Sequence, residues 1–365
     1  MNHFKLKEIL MQSADVALGK QEVNGAFPSG HNGPYFDQET AVRCTAHFLF
    51  LLASVYEETG LEKYKKACFS AIDYLKSTEA RPYSSTFYCR NTQGKDKCNG
   101  LVGQAWIIEA LVKAAQVFDR TDCYQIAEEV FLLHPWNTGC SIWSRVEIDG
   151  NILPIDKTFN HQLWFAMSAA MLTKTPLAQE RAKCFLNNIA MRVETYSDDV
   201  IFHKSQLGKL LNYRHLGFRV CLNQFKKKII KNNMEQVYGK SVGYHGFNLY
   251  AFAMLKTLFP EEPIWDGPLI NQLLSACERS KFMDTLTSSE YGYFYNFSGL
   301  EIAFSYEVFL NDSESARMWI NRQFEHAGEE KSLTLTKNVA DVNTALARIY
   351  IAASLKNDYE VSFFE

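Results

Sequence analysis

The chain has no apolar run of about 18 residues, the length a membrane-crossing helix needs. Its first stretch, MNHFKLKEILMQSADVAL, lacks both the long apolar segment and the small-residue cleavage site of a secretory signal. A cytoplasmic location is therefore expected. No CxxC pair occurs, and the nine cysteines are an odd number. Cys44, Cys68, Cys184 and Cys277 fall inside helix-patterned segments, so they read as buried free thiols in a reducing compartment. Cys89 and Cys98 are neighbours but have no evident His or Cys partners, so no metal is expected. GxSxG, GxxxxGK[ST] and HExxH are absent, as is GxGxxG between a strand and a helix, which argues against serine hydrolases, P-loop NTPases, zincins and Rossmann enzymes. Nothing demands an organic cofactor. The net charge is only −3, too little for a whole-chain field that would gather nucleic acid or anionic membrane.

What is abundant is apolar periodicity and aromatic side chains. Hydrophobic residues make up 47% and charged residues 22% of 365, an ordinary globular balance. Aromatic residues reach 14%, enough for a Phe-rich core and for a cleft with walls on which sugar faces could stack. Apolar residues recur at helical spacing over 3–19, 37–59, 61–80, 100–118, 122–134, 160–174, 176–194, 246–259, 266–280, 298–311, 313–327 and 341–355. That is a leading helix, five hairpins and a trailing helix. Pairing the two end helices closes a ring of six hairpins, an all-α (α/α)6 toroid with small loop or β-hairpin insertions. One domain over 1–365 is expected, interrupted by an insertion at about 195–245. Within that insertion Lys226, Lys227, Lys228 and Lys231 form either a solvated face or a contact for an anionic glycan, a partner or a membrane surface.

The helices starting near 37, 100, 160, 246, 298 and 341 are apolar nearly all round, as inner helices must be. Their partners, such as LEKYKKACFSAIDYLK, are amphipathic and belong outside. Long polar segments precede the inner helices, whereas short turns follow them. The long segments therefore gather at one end of the toroid, over six helix N-termini.

Polar residues of catalytic types recur there. Asp156 is the first candidate for a general acid, since Trp143 and Trp164 nearby could raise its pKa; a helix cap is the plainer alternative. His161 is a candidate proton shuttle, or else a satisfied core histidine. His31 and His245 sit in Gly-flanked segments, GHNG and YHG. Glu301 and Glu109 interrupt apolar helices and either face the lumen or pair with a buried Arg. Arg43 and Arg145 could grip a substrate carboxylate bidentately. Trp106, Trp143, Trp164, Tyr244 and Tyr291 are candidate walls of a sugar site. Asn99, Gln104, Asp37 and Asp341 complete the candidate substrate contacts, with Asp37 also a candidate helix cap. Hydrolysis would pair Asp156 with Glu301, Asp37 or Asp341.

The segments NGAFPSGHNGPYFDQETAVRCTAH, NGLVGQAWIIEAL, EEVFLLHPW, SRVEIDGNILPIDKTFNHQLWF, YHGFNLYAF and ADVNTALARIY together resemble a six-hairpin-glycosidase-like family associated with surface-polysaccharide and glycosylation gene clusters, the AglQ-type proteins. The resemblance covers nearly the whole chain apart from 195–235. It implies a carbohydrate-active enzyme that hydrolyses or otherwise processes an oligosaccharide or polysaccharide with carboxylate acid–base chemistry, the glycan being a candidate uronate carrier. The alternatives it leaves are a sugar epimerase or isomerase and a non-catalytic component of a glycan-assembly complex. More distantly the chain is similar to unsaturated-uronyl hydrolases, where an aspartate protonates a sugar double bond, a role Asp156 would fill. It is also similar to N-acylglucosamine epimerases, whose proton-moving His pair would correspond to His161 or His245.

Overall fold

A computed structural model of the chain describes residues 2–188, 190, 193–203 and 234–363. The apolar segments fold as helices: α1 (Leu6–Leu18), α2 (Val42–Thr59), α3 (Glu62–Lys76), α4 (Gly100–Phe118), α5 (Thr121–Leu133), α6 (Phe159–Met171) and α7 (Pro176–Asn188). They continue as α8 (Met234–Gly243), α9 (His245–Leu258), α10 (Leu269–Cys277), α11 (Ser280–Ser288), α12 (Ser298–Leu310), α13 (Ser313–Ala327) and α14 (Val342–Arg348). A 3-10 turn, Ile349–Ser354, extends α14.

The ring closes. Helix α2 packs on α4, α4 on α6, α6 on α9 and α9 on α12, while α12 and α2 both pack on the 3-10 extension of α14. These six are the inner helices, and their residues are buried nearly all round. The outer helices bury one stripe only, as in α3, where Tyr64, Ala67, Cys68, Ala71, Ile72 and Leu75 face inward. Helix α4 is long and apolar enough to cross a membrane by length and composition, but most of it is buried inside the ring.

Two short strands clasp the ends. β1 (His3–Lys5) runs antiparallel to β5 (Glu360–Ser362), with His3 opposite Ser362. Phe4 meets Phe363 edge-on at 5.6 Å beside this pair. A second sheet, β2 (Trp136–Asn137), β3 (Ile142–Val146) and β4 (Ile152–Ile155), is an antiparallel meander between α5 and α6. It delivers the chain to Asp156.

Some boundaries differ from the periodicity. Helix α2 starts at Val42, not near Asp37, because residues 31–37 form a folded loop with left-handed turns at Asn32 and Phe36. Asp37 therefore caps no helix. The outer helix expected over 266–280 is broken into α10 and α11, preceded by a 3-10 turn at Pro263–Asp266. Segment 288–299 holds a π-helical turn, Gly292–Asn296. The basic run Lys226, Lys227, Lys228 and Lys231 lies outside the described residues.

The toroid is not an open tube. Below the inner-helix N-termini the lumen is filled with rings: His47 stacks on Tyr350 at 4.6 Å, Trp164 on Phe247 at 4.3 Å, and Trp106 meets Trp164 edge-on at 6.4 Å. Aromatic surface buried at this density dominates a core, and it gives the hollow a closed floor.

Candidate functional site

A cavity of about 250 Å³ opens above that floor. Its walls come from the loops before five inner helices: Asn32, Tyr35 and Asp37 before α2; Asn99 before α4; Thr158 before α6; Tyr244 before α9; Asn296 before α12. The first turns supply Val102, Asn160, His161 and Phe247, Trp106 follows deeper in α4, and Arg90, Lys95, His203, Lys240 and Tyr295 complete it.

The most organised pair in this wall is Asp156 and His161. Asp156 follows β4 and is 5% exposed. One carboxylate oxygen accepts the Thr158 N–H at 3.1 Å; the other accepts the Leu101 N–H at 3.3 Å and His161 Nδ1 at 2.8 Å. The Asp156 carbonyl accepts from Gln162 Nε2 at 2.8 Å. Asp156 thereby joins the starts of α4 and α6. Burial pushes its carboxyl up, but the His161 charge and hydrogen bond, with the two backbone N–H groups, outweigh it and hold the carboxyl far below the usual range. The expectation of a raised pKa is thus corrected: Trp143 and Trp164 are not its dominant neighbours. An ionised Asp156 fixes His161 with Nδ1–H donating, leaving Nε2 as the atom a ligand meets. Gly100, at φ +61, is part of the construction, because a Cβ there would sit 2.7 Å from His161 Nδ1 and 2.8 Å from Asp156.

A second polar cluster lies across the wall. Asp37 pairs with Lys95, with Arg90 Nη1 at 3.4 Å, and accepts the Asn32 amide at 2.8 Å. Burial raises its carboxyl, yet these partners together bring it below the ordinary value. Asn32 Oδ1 in turn accepts from Arg43 at 2.7 Å and from the Tyr295 hydroxyl at 2.5 Å. The Tyr35 and Tyr244 hydroxyls meet at 2.7 Å. Burial, with neighbouring phenols, pushes both far up, so both stay protonated. Lys240 lies over the Tyr35 ring at 4.4 Å and the Tyr291 ring at 4.7 Å.

His161, Asp37, Asn99, Trp106 and Tyr244 line the cavity, with Asp156 behind His161 and Tyr291 behind Tyr35. Other candidates stand elsewhere. Arg43 is buried under the wall, with Nη1 bonded to Asn32 and Glu39 and its guanidinium 4.3 Å over Trp106, and it does not line the cavity. Arg145 braces Asp96 at 2.5 Å. Gln104 is fully buried and satisfies Phe87 and Cys98 backbone groups. Trp143 packs among Phe131, Trp136 and Phe165, and Trp164 donates to the Phe247 carbonyl at 3.1 Å. His245 is fully buried between the Ile201 N–H and the Leu273 carbonyl, a clamp from α9 to α10. Glu301 is sealed against Arg348 at 2.6 Å. Asp341 caps α14 at Thr344 and accepts the His31 and Gly33 N–H groups at 2.8 Å each. Among the described residues no three His, Cys, Asp or Glu side chains gather as a metal site.

No family model matches the chain. It is 36% identical over 369 residues to archaeal glycosylation protein Q of Haloferax volcanii, with 98% of each chain covered. The chain belongs to the archaeal glycosylation protein Q family. Solved structures share the fold of this family member. Cellobiose 2-epimerase from Bacillus thermoamylovorans superposes with a TM-score of 0.60 at 9% identity, covering 95% of this chain and 98% of that one. An α-1,6-mannanase from Salegentibacter sp. gives 0.57 at 11% identity, covering 96% and 98%. D-mannose isomerase gives 0.56 at 13% identity, covering 96% and 97%. Identities this low establish the (α/α)6 fold and no more.

Sequence reasoning missed Asn32, Tyr35, Arg90, Lys95, His203, Lys240, Tyr295 and Asn296 as cavity residues. Asn32 and Tyr35 lie within the polar segment preceding α2, and Tyr295 within the Tyr-rich 288–299 run, so those segments carried a signal even though the individual residues did not. Arg90 and Lys95 sit in an unpatterned loop, and His203 and Lys240 flank the 204–233 stretch.

Proposed function

We propose that this protein is a glycan-processing enzyme that moves a proton on one sugar residue held in the cavity, with His161 as the acid–base group and Asp156 as its positioning partner. The observation that carries this reading is the 2.8 Å bond from a buried, ionised carboxylate to a histidine that lines the cavity. Such a partner fixes tautomer and orientation and stabilises the imidazolium formed when the ring takes a proton.

Epimerisation or isomerisation fits better than two-carboxylate hydrolysis. Asp37 is the sole carboxylate among the described lining residues, and its oxygens are bound to Lys95, Arg90 and Asn32. Glu301 and Asp341, the other proposed carboxylates, do not line the cavity. The mannanase relative has been inactivated by replacing two consecutive aspartates. The single consecutive pair in this sequence, Asp198–Asp199, is bonded to Lys281 and Arg279 outside the cavity wall. In the favoured reaction His161 Nε2 takes the proton from the carbon beside the carbonyl of an opened sugar and returns it to a carbon of the same residue. Asn99, Asn160 and Asn296 are amides in the same wall that can hold hydroxyls. Arg90 and Lys95 are already paired with Asp37 and Asp96, so the wall offers these cations to Asp37 first, and a uronate would have to share them. The glycosylation role in the relative's name supplies the biological setting. The alternative of a non-catalytic assembly component predicts that the Lys226–Lys231 run matters more than the cleft, and that run lies outside the described residues.

The test is incubation in D2O with mannose, cellobiose and glucuronate-terminated oligosaccharides, followed by NMR. Deuterium at a carbon beside the carbonyl, without release of a sugar, is the expected result. Release of a sugar without such exchange would replace this reading with hydrolysis.

A further inference from the structure

The loop carrying Tyr35 and Asp37 into the cavity wall holds a residue between them that does the opposite. Phe36 is 73% exposed. It also adopts a left-handed backbone, φ 48, a conformation rare for an aromatic residue. An exposed phenyl ring contributes nothing to the core that would offset such a backbone, so the loop must be held by other contacts. It is. Asn32 and Gly33 are also left-handed, at φ 61 and 52. Asp341 fixes the His31 and Gly33 N–H groups, and Asp37 N–H closes the loop on the His31 carbonyl at 2.7 Å. Gly30 is pressed so closely on Thr344 and Asp341 that a Cβ would lie 2.0 Å from the Thr344 hydroxyl oxygen.

The held conformation creates a flat double ring. His31 and Phe36 are parallel within 5°, with centroids 4.9 Å apart. His31 Nδ1 donates to the Gly33 carbonyl at 3.0 Å, which fixes the imidazole plane. The phenyl ring is therefore backed by a fixed plane and bare to solvent, one residue from each of two cavity-wall side chains. Backbone strain held in place by surrounding contacts is found where a side chain must be presented.

We infer that the His31–Phe36 plate is a rim subsite that stacks the apolar face of a second sugar, the one attached to the residue in the cavity. This rests on the reading of the cavity as a sugar site and deepens it. The cavity has a closed floor and a volume of about 250 Å³, so a glycan enters by its end and its next residue lies at the rim. The substrate is then an oligosaccharide recognised at its terminus, not a free monosaccharide.

The experiment compares binding of wild type, Phe36→Ala, Phe36→Gly and Phe36→Trp to an array of mono-, di- and trisaccharides that includes mannose, cellobiose, α-1,6-mannotriose and glucuronate-terminated disaccharides. Wild type should bind at least one oligosaccharide more tightly than its terminal monosaccharide. Phe36→Ala and Phe36→Gly should each lose about three- to tenfold for the oligosaccharide, the range of one ring contact, with monosaccharide binding unchanged. Phe36→Trp should restore it. Gly accepts positive φ freely, so Phe36→Gly should melt no lower than wild type, which separates lost stacking from lost folding. Equal oligosaccharide binding by wild type and both truncated variants would overturn the subsite while leaving the cavity reading intact. A wild type that binds no sugar on the array would remove the cavity reading and the subsite with it.

Discussion

At the scale of single residues, the chemistry turns on how two buried carboxylates are treated. Asp156 is buried but surrounded by donors, so its charge is stabilised. His161→Ala should abolish turnover and, because it leaves the buried Asp156 carboxylate without its side-chain partner, cost roughly 1–3 kcal/mol in urea unfolding. Asp156→Asn should lower turnover about a hundredfold or more and cost roughly 1–3 kcal/mol, because backbone donors at the starts of α4 and α6 lose an anionic acceptor. The sign of its pH effect follows from a depressed folded pKa. The stability Asp156 contributes is present above the ordinary carboxylate range and is lost as pH falls below it. The Asn variant should flatten that acid limb. Glu109 behaves oppositely. It is buried, with one oxygen accepting from Tyr350 at 3.1 Å, and burial pushes its carboxyl from 4.5 to about 8 against the weaker pull of Tyr350 and Arg348. The folded protein holds a proton that the unfolded chain releases, so stability should fall between those two values by up to about 1.4 kcal/mol per pH unit. Burial pushes Glu301 up to about 8 as well, so Glu109→Gln, which mimics the protonated form, should reduce this slope in melts recorded from pH 5 to 8 and leave the Glu301 part; an unchanged slope would show that Glu109 does not contribute.

At the scale of elements, what the sequence made readable was the helix inventory and the end of the ring where function would collect. Twelve apolar stretches with 3.6-residue spacing carry that much, since each inner helix had to be apolar all round. The loops were harder. Asp37 looks like a helix cap, and only the fold shows that Lys95, 58 residues further on, reaches its carboxylate. Glu301 and His245 have the residue types of catalysis, yet their partners Arg348, Leu273 and Ile201 are brought by other elements. Side-chain chemistry is visible in a sequence, whereas its satisfaction by distant groups is not. The start of α4 gives a direct test of one such convergence. Gly100→Ala places a methyl group against the Asp156–His161 pair at a positive φ, so it should lower both turnover and melting temperature, with loss of stability of about 1 kcal/mol or more. A variant with wild-type turnover would mean that the pair does not need the spacing observed at the α4–α6 junction.

At the scale of the whole molecule, closure is what distinguishes this ring from an open stack of hairpins. Phe363, 1% exposed, packs on Phe4 and Phe324 where the terminal strands meet. Phe363→Ala should cost about 3 kcal/mol, and turnover of the folded fraction should be unchanged because the cavity wall contains no residue from either terminal strand. Unfolding in urea with a simultaneous activity assay checks both halves of that expectation. The clasp also dictates an order of events during synthesis. His3–Lys5 are synthesised long before Glu360–Ser362 and cannot form this pairing until those residues have been made. During the intervening elongation α2 and α3 can already pack on α1, whereas the part of α1 that meets the 3-10 extension of α14 is covered only when the ring closes.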